Sequence, residues 1–196
     1  MKPNPPPKQH AGAHQLRIIA GQWRSRRLPI LALEGLRPTP DRVRETLFNW
    51  LQFPVRGARC LDLFAGSGAL GLEALSRGAS ELVLVEKHPK AAATLQTNIN
   101  TLKALNAEVY HQEALSYLDQ ATIPFDIIFL DPPFHHNWLP MVLERIQDKQ
   151  LLAPQGYIYL EYERELELDL SQWNLTIHKQ LHAGQVHCVL AQLSSA

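Results

Sequence analysis

The chain has 196 residues and is 45% hydrophobic, which suits one domain with a full core and excludes bulk disorder. Its 19 basic and 19 acidic residues cancel, yet residues 1–59 carry 11 Lys and Arg against 3 Asp and Glu, and the remainder carries 8 against 16. A basic segment on an acidic body is either a solvated extension or a face that meets a polyanion.

Cys60 and Cys188 are two scattered cysteines, and the nine histidines are scattered too. Neither pattern has the spacing of a disulfide framework or a metal site. No apolar run approaches the roughly 20 residues of a membrane helix. The polar, proline-rich start Met1–Pro7 has no signal-peptide core. A cytoplasmic protein without metal is expected.

Residues 1–15 read as a flexible tail, 16–52 as a basic extension, and 53–196 as the main domain. A strand at 16–20, a loop at 21–27 and a return at 28–30 form a small hairpin. It carries Arg17, Trp23, Arg24, Arg26 and Arg27. Arginines around an aromatic suit phosphate contact and base stacking; alternatively Trp23 packs on the domain and the arginines stay in water. A helix follows from Thr39, with Thr39 as cap, Pro40 at the first helical position and Asp41 in the first turn. Val43, Leu47, Trp50 and Leu51 should face the core. Arg42 lies on another face, either paired with Glu45 or turned to a pocket or to RNA, and Arg44 joins the candidate RNA contacts.

From Ala58 strands and helices alternate: strands at 58–65, 81–86, 107–111, 125–130 and 157–161, helices at 69–77, 88–102, 114–119 and 138–148. Two last strands, 174–180 and 186–193, flank the turn signal Ala183-Gly-Gln185. The expected fold is α/β: a Rossmann-like, doubly wound, seven-stranded and mostly parallel sheet with a C-terminal antiparallel hairpin. The run from Glu161 to Glu167 reads as a charged surface without a role.

The central motif is Asp62-Leu-Phe-Ala-Gly-Ser-Gly-Ala-Leu-Gly71. Strand, glycine turn and helix N-terminus bring backbone amides to a bound cofactor. Gly66, Gly68 and Gly71 alone fit many nucleotide binders, including an NAD(P)-dependent oxidoreductase. Asp62 decides between them: a carboxylate repels a pyrophosphate but attracts the ammonium and sulfonium of S-adenosylmethionine. Glu86, ending the next strand, is placed to accept from two ribose hydroxyls. Glu113 and Ala114, after the third strand of the domain, lie where the adenine would sit. Phe64, Ala65, Gly66, Ser67, Gly68 and Lys87 complete the candidate cofactor contacts.

Asp131-Pro-Pro-Phe134 ends the fourth strand of the domain, beside the same crevice. It resembles the motif of class I methyltransferases that act on exocyclic or amide nitrogens. Such a nitrogen has its lone pair delocalised into the ring. The Asp131 carboxylate and the Pro132 carbonyl could accept its two hydrogens, localising the pair toward the methyl group. Pro132 and Pro133 stiffen the turn, and Phe134 offers a face for a purine. Asp131 could act as base or only as acceptor.

Over residues 16–193 the chain resembles the bacterial 16S ribosomal RNA guanine-N2 methyltransferase (RsmD-like) family. The resemblance rests on Arg17-Ile-Ile-Ala-Gly-Gln-Trp-Arg24, Arg37–Leu51, the glycine loop, Asp131–Phe134 and Ala183-Gly-Gln-Val186. It implies methyl transfer to a guanine in the 16S rRNA of a partly or fully assembled small subunit, by a monomer with no membrane partner. It also implies that Thr39 and Arg42 approach the methionine end of the cofactor. Glu113 departs from the Asp or small polar residue that relatives often carry. An exocyclic adenine amine in DNA or RNA, a protein glutamine, or a non-catalytic RNA-binding role are the alternatives.

Overall fold

The computed structural model describes residues 15–31, 39–134 and 137–194; the expected tail, save Gln15, lies outside them. The apolar runs Leu82–Val85 and Ile127–Leu130 are buried throughout, the mark of central parallel strands covered on both faces. Strands β1 (Gln15–Arg17) and β2 (Arg27–Pro29) form a separate antiparallel hairpin. After helix α1 (Asp41–Trp50) the chain alternates through β3 (Arg59–Asp62), α2 (Ala69–Ser76), β4 (Glu81–Val85), α3 (Pro89–Leu102), β5 (Ala107–Tyr110), α4 (Ala114–Gln120), β6 (Phe125–Leu130) and α5 (Trp138–Asp148). It closes with β7 (Leu152–Glu163), a short 3-10 turn (Leu170–Trp173), β8 (Leu175–Ala183) and β9 (Val186–Leu193).

The seven-stranded sheet runs β5-β4-β3-β6-β7-β9-β8. All pairings are parallel except those of β9 with β7 and β8. Helices α1, α2 and α3 cover one face through Leu47, Phe48, Leu72 and Leu95; α4 and α5 cover the other through Leu118, Leu139 and Leu143. The chain steps from β3 to β4 on one side and later returns to place β6 on the other. Such a reversal opens a crevice beyond the carboxyl ends of the strands, and both sequence motifs lie there.

The basic extension is bound tightly to α2. Glu73, fully buried, accepts from the backbone amides of Ile19 (2.8 Å) and Ala20 (3.0 Å) and from Arg77 Nε (2.7 Å). Ser76 Oγ donates to the Ala20 carbonyl (2.6 Å) and accepts from the Trp23 amide (3.1 Å). Gly21, at φ +83°, passes so close that a Cβ would stand 1.8 Å from the Ser76 carbonyl oxygen, so only glycine fits.

Three expectations shift and one core residue is added. The strand expected over 58–65 ends at Asp62, because Gly66 and Gly68 take positive φ and curl the following segment into the turn. Thr39 does not cap α1; Pro40 occupies the cap position, and no side chain of the described residues bonds there. Phe48, outside the expected core positions, fills the core beside Leu47 with its ring 6.0 Å from that of Phe129, and Trp50 packs half-buried against the same cluster. Strand β7 outruns its expected 157–161 span because it pairs on both edges, with β6 and β9.

Candidate active site

Asp62 and Asp131 end adjacent strands, since β3 pairs with β6 with Asp62 opposite Phe129. Side chains alternate along a strand, so Asp62, Phe129 and Asp131 share the sheet face beneath α1 and α2. Asp62 is buried, and its Oδ2 accepts from the Gly71 amide at 2.9 Å. That bond pins the start of α2 over the strand end. Burial raises the Asp62 carboxyl to about 7; the Gly71 amide opposes this, and the charges of Glu86 and Glu161 add to it. A cation entering the crevice would favour its ionised form.

The glycine loop is held by Glu86. Its Oε2 accepts from the Gly66 amide (2.8 Å) and its Oε1 from the His88 amide (2.7 Å). Ala65 donates to the Val85 carbonyl at 2.9 Å and Gly68 to the Ala65 carbonyl at 2.6 Å. Phe64, Gly66 and Ser67 stay partly exposed at the crevice. Phe64 meets the Trp138 ring edge-on, 5.9 Å between centroids, and Lys87 Nζ lies 5.9 Å from the same ring. Trp138 thus joins the loop to α5, a contact with no sequence signal beyond an aromatic at a helix start.

After β5, Glu113 is exposed and Ala114 is buried at the start of α4. Two polar atoms near these strand ends are buried with no hydrogen-bond partner among the described residues: His88 Nδ1 and Gln112 Nε2. Buried polar atoms ordinarily find hydrogen bonds, and the edge of a purine could supply them. Acidic side chains for a cation, amides at a glycine turn and orphaned groups after β4 and β5 together fit S-adenosylmethionine.

Thr39 is buried and donates to Glu161 Oε1 at 3.1 Å; its hydroxyl thus joins the N-terminal extension to β7. Arg42 projects into solvent from α1. Glu161 is a correction: it belongs not to a charged surface but to the buried end of β7, 5% exposed, where Tyr159 also donates to its Oε1 at 2.9 Å. The sequence did carry a signal. Glu161 holds the last position of the strand expected over 157–161, comparable to Asp62 at the end of β3 and Glu86 and Asp131 just after β4 and β6, but the acidic residues that follow disguise it. Pro132 is buried, while Pro133 and Phe134 are exposed beyond it.

Among the expected RNA contacts, Arg17, Arg24, Arg26 and Arg27 are exposed and Trp23 is half-buried against the core. Arg44 is the second correction. It is 1% exposed, pairs with Asp41 (2.6 Å) and Glu73 (3.7 Å), and donates to the Arg17 carbonyl at 3.0 Å. Position i+3 from Asp41 on α1 turns its guanidinium inward, onto α2. Trp23 bonds Ser76 at the far end of α2, and a helix of eight residues spans about 12 Å. The hairpin tip is thus about that distance from the crevice. A surface groove of about 510 Å³ between Trp23, Arg77 and the Lys103–Asn106 turn lies at the same far end, separate from the cofactor crevice.

The pattern of the family described as conserved hypothetical protein 95 matches residues 16–192. The ribosomal RNA small subunit methyltransferase D of Escherichia coli K12 is 48% identical over 185 residues, 94% of this chain and 91% of the relative. Its Haemophilus influenzae namesake is 44% identical over 182 residues, 91% of this chain and 94% of the relative. A solved Escherichia coli structure, of the provisional methyltransferase yhhF, superposes with a TM-score of 0.84 at 46% identity, covering 93% of this chain and all of that one. The chain belongs to the conserved hypothetical protein 95 family, that of the ribosomal RNA small subunit methyltransferases D.

Proposed function

We propose that this protein transfers the methyl group of S-adenosylmethionine to the exocyclic N2 amine of one guanine in 16S rRNA, acting as a monomer in the cytoplasm on a partly or fully assembled small subunit. The carrying observation is the placement of Asp131-Pro-Pro-Phe134 beside the Asp62 glycine turn, on neighbouring strands at one crevice. S-adenosylmethionine supplies an electrophilic methyl group on a cationic sulfur. The chain does the rest: Asp62, Glu86 and the loop amides bind, Asp131 and the Pro132 carbonyl hold the acceptor amine, and Phe134 stacks on its ring. Such a base must leave its stack or already be exposed, as in RNA loops. Arg17, Arg24, Arg26 and Arg27 supply phosphate contacts along the flank of α2.

The test uses small subunits that lack rRNA modifications. They are incubated with the protein and S-adenosylmethionine, and the digested RNA is analysed by mass. N2-methylguanosine is expected. Methylated adenosine, or no product with any ribosomal substrate, overturns the guanine assignment.

A further inference from the structure

Glu161 has no part in the mechanism above, yet it is one of the charged side chains buried among the described residues. Strand register puts it beside Asp131. In the parallel pair β6–β7, Phe129 faces Tyr159 and Leu130 faces Leu160, so the next step sets Asp131 beside Glu161 on one face. Thr39 lies between them: its hydroxyl donates to Glu161 Oε1 and, turned toward Asp131, would favour that carboxyl's ionised form. A hydroxyl has one hydrogen to donate and lone pairs to accept with. That hydrogen goes to Glu161, so Thr39 cannot hold both carboxylates in their ionised forms at once.

We propose that Glu161 is a positioning residue for Asp131, set beside it by strand register and fixed by Thr39 and Tyr159, so that the two carboxyl groups share one proton in the free protein. The proposal rests on the methyl-transfer reading above for its purpose, though not for its geometry. Two carboxylates at one site cannot both ionise without large repulsion. Burial, Glu161 and Asp62 push Asp131 well above the usual carboxylate range, with Thr39 opposing the rise. Burial raises Glu161 as well, but Tyr159 and Thr39 donate to it and oppose the rise. Tyr159 donates to Glu161 alone, so the shared proton favours the Asp131 side of the pair. Among the described residues, the other titratable groups facing the pair are Asp62 on β3, Tyr159 on β7 and Cys188 on β9, which is paired with Glu161. None of these is a cation.

The arrangement joins the two roles open to Asp131. A positive charge entering the crevice favours loss of the shared proton to solvent, leaving Asp131 an anionic acceptor for the amine hydrogens. In the transfer, the N2 lone pair forms the new N–C bond and the S–C bonding pair stays on sulfur. The proton that N2 sheds returns to the Asp131 carboxylate. With positive charge gone from sulfur, Asp131 again favours its protonated form.

The test is a carbon-13 carboxyl titration of the full-length protein, labelled at Asp and read by NMR without cofactor, with Asp131→Asn identifying the resonance. Glu161→Gln keeps the shape and removes the charge. The Asp131 midpoint should then fall by about one pH unit or more. Tyr159→Phe weakens the Glu161 anion and draws the proton toward it, giving a smaller fall; this variant also serves if Glu161→Gln does not fold. In turnover assays the acid limb of kcat should move to lower pH with Glu161→Gln, while KM for S-adenosylmethionine stays within about twofold, since uniform binding is untouched. An Asp131 midpoint unchanged in both variants overturns the proposal. If the Asp131 midpoint falls in the variants as expected but the wild-type protein methylates no RNA, the methyl-transfer reading is overturned and the shared proton stands.

Discussion

Replacing Glu73 with Ala should unfasten the basic extension from the domain. The carboxylate accepts two backbone amides, Ile19 and Ala20, and pairs with Arg77 and Arg44. Each buried amide left without an acceptor costs about 1–3 kcal/mol, and a buried guanidinium deprived of a partner about 3–5 kcal/mol. These losses share one site and do not add. Arg44 keeps Asp41 and the Arg17 carbonyl, and Arg77 is partly exposed. A net loss of about 4 kcal/mol is expected, or about 8–16 °C in Tm for a chain of this size. The assay is thermal unfolding by circular dichroism together with amide hydrogen exchange at Ile19 and Ala20. Protection at those two amides should collapse even if the extension opens before the rest of the fold. A Tm within about 2 °C of wild type, with both amides still protected, would refute the claim that Glu73 is the anchor.

Asp131→Ala should abolish turnover while cofactor affinity, read by calorimetry, changes less than about threefold; equal loss of both would mean that Asp131 holds the cofactor rather than the acceptor. Replacing Arg24, Arg26 and Arg27 together with Ala should lower the slope of log affinity for RNA against log salt by up to about 2–3, at about 0.7–0.9 per phosphate contact. An unchanged slope makes the hairpin a structural element alone. Asp62→Asn bears on pH. The folded-state Asp62 carboxyl is raised to about 7, so between the ordinary carboxylate range and that value the folded chain binds more protons than the unfolded one. Stability is therefore present at low pH and lost as pH rises through about 7. A rise from the ordinary 3.8 to about 7 bounds the effect at about 4 kcal/mol. Without cofactor, Asp62→Asn should be more stable than wild type at pH 8 and lose that advantage near pH 4. Equal denaturant midpoints at both values would show that Asp62 ionises freely.

Local sequence is enough to dictate the fold class and half of the candidate site. Alternation of apolar runs with 3.6-residue periodicity is a local signal, and it marks parallel strands joined by helices whatever their final order. Asp62, Gly66, Gly68, Glu86 and Asp131 are legible because each ends a strand or bends a turn, positions that local chemistry dictates. Which distant groups meet is settled only by folding. Arg44 reads in the sequence as one more basic residue of an arginine-rich segment; the rotation of α1 turns it onto Glu73, where burial demands a counter-charge. Glu161 reads as the first member of an acidic surface run; parallel pairing of β6 with β7 sets it beside Asp131, 30 residues away in sequence. Strand order and helix rotation are set by packing over the whole core, and no window of sequence contains them.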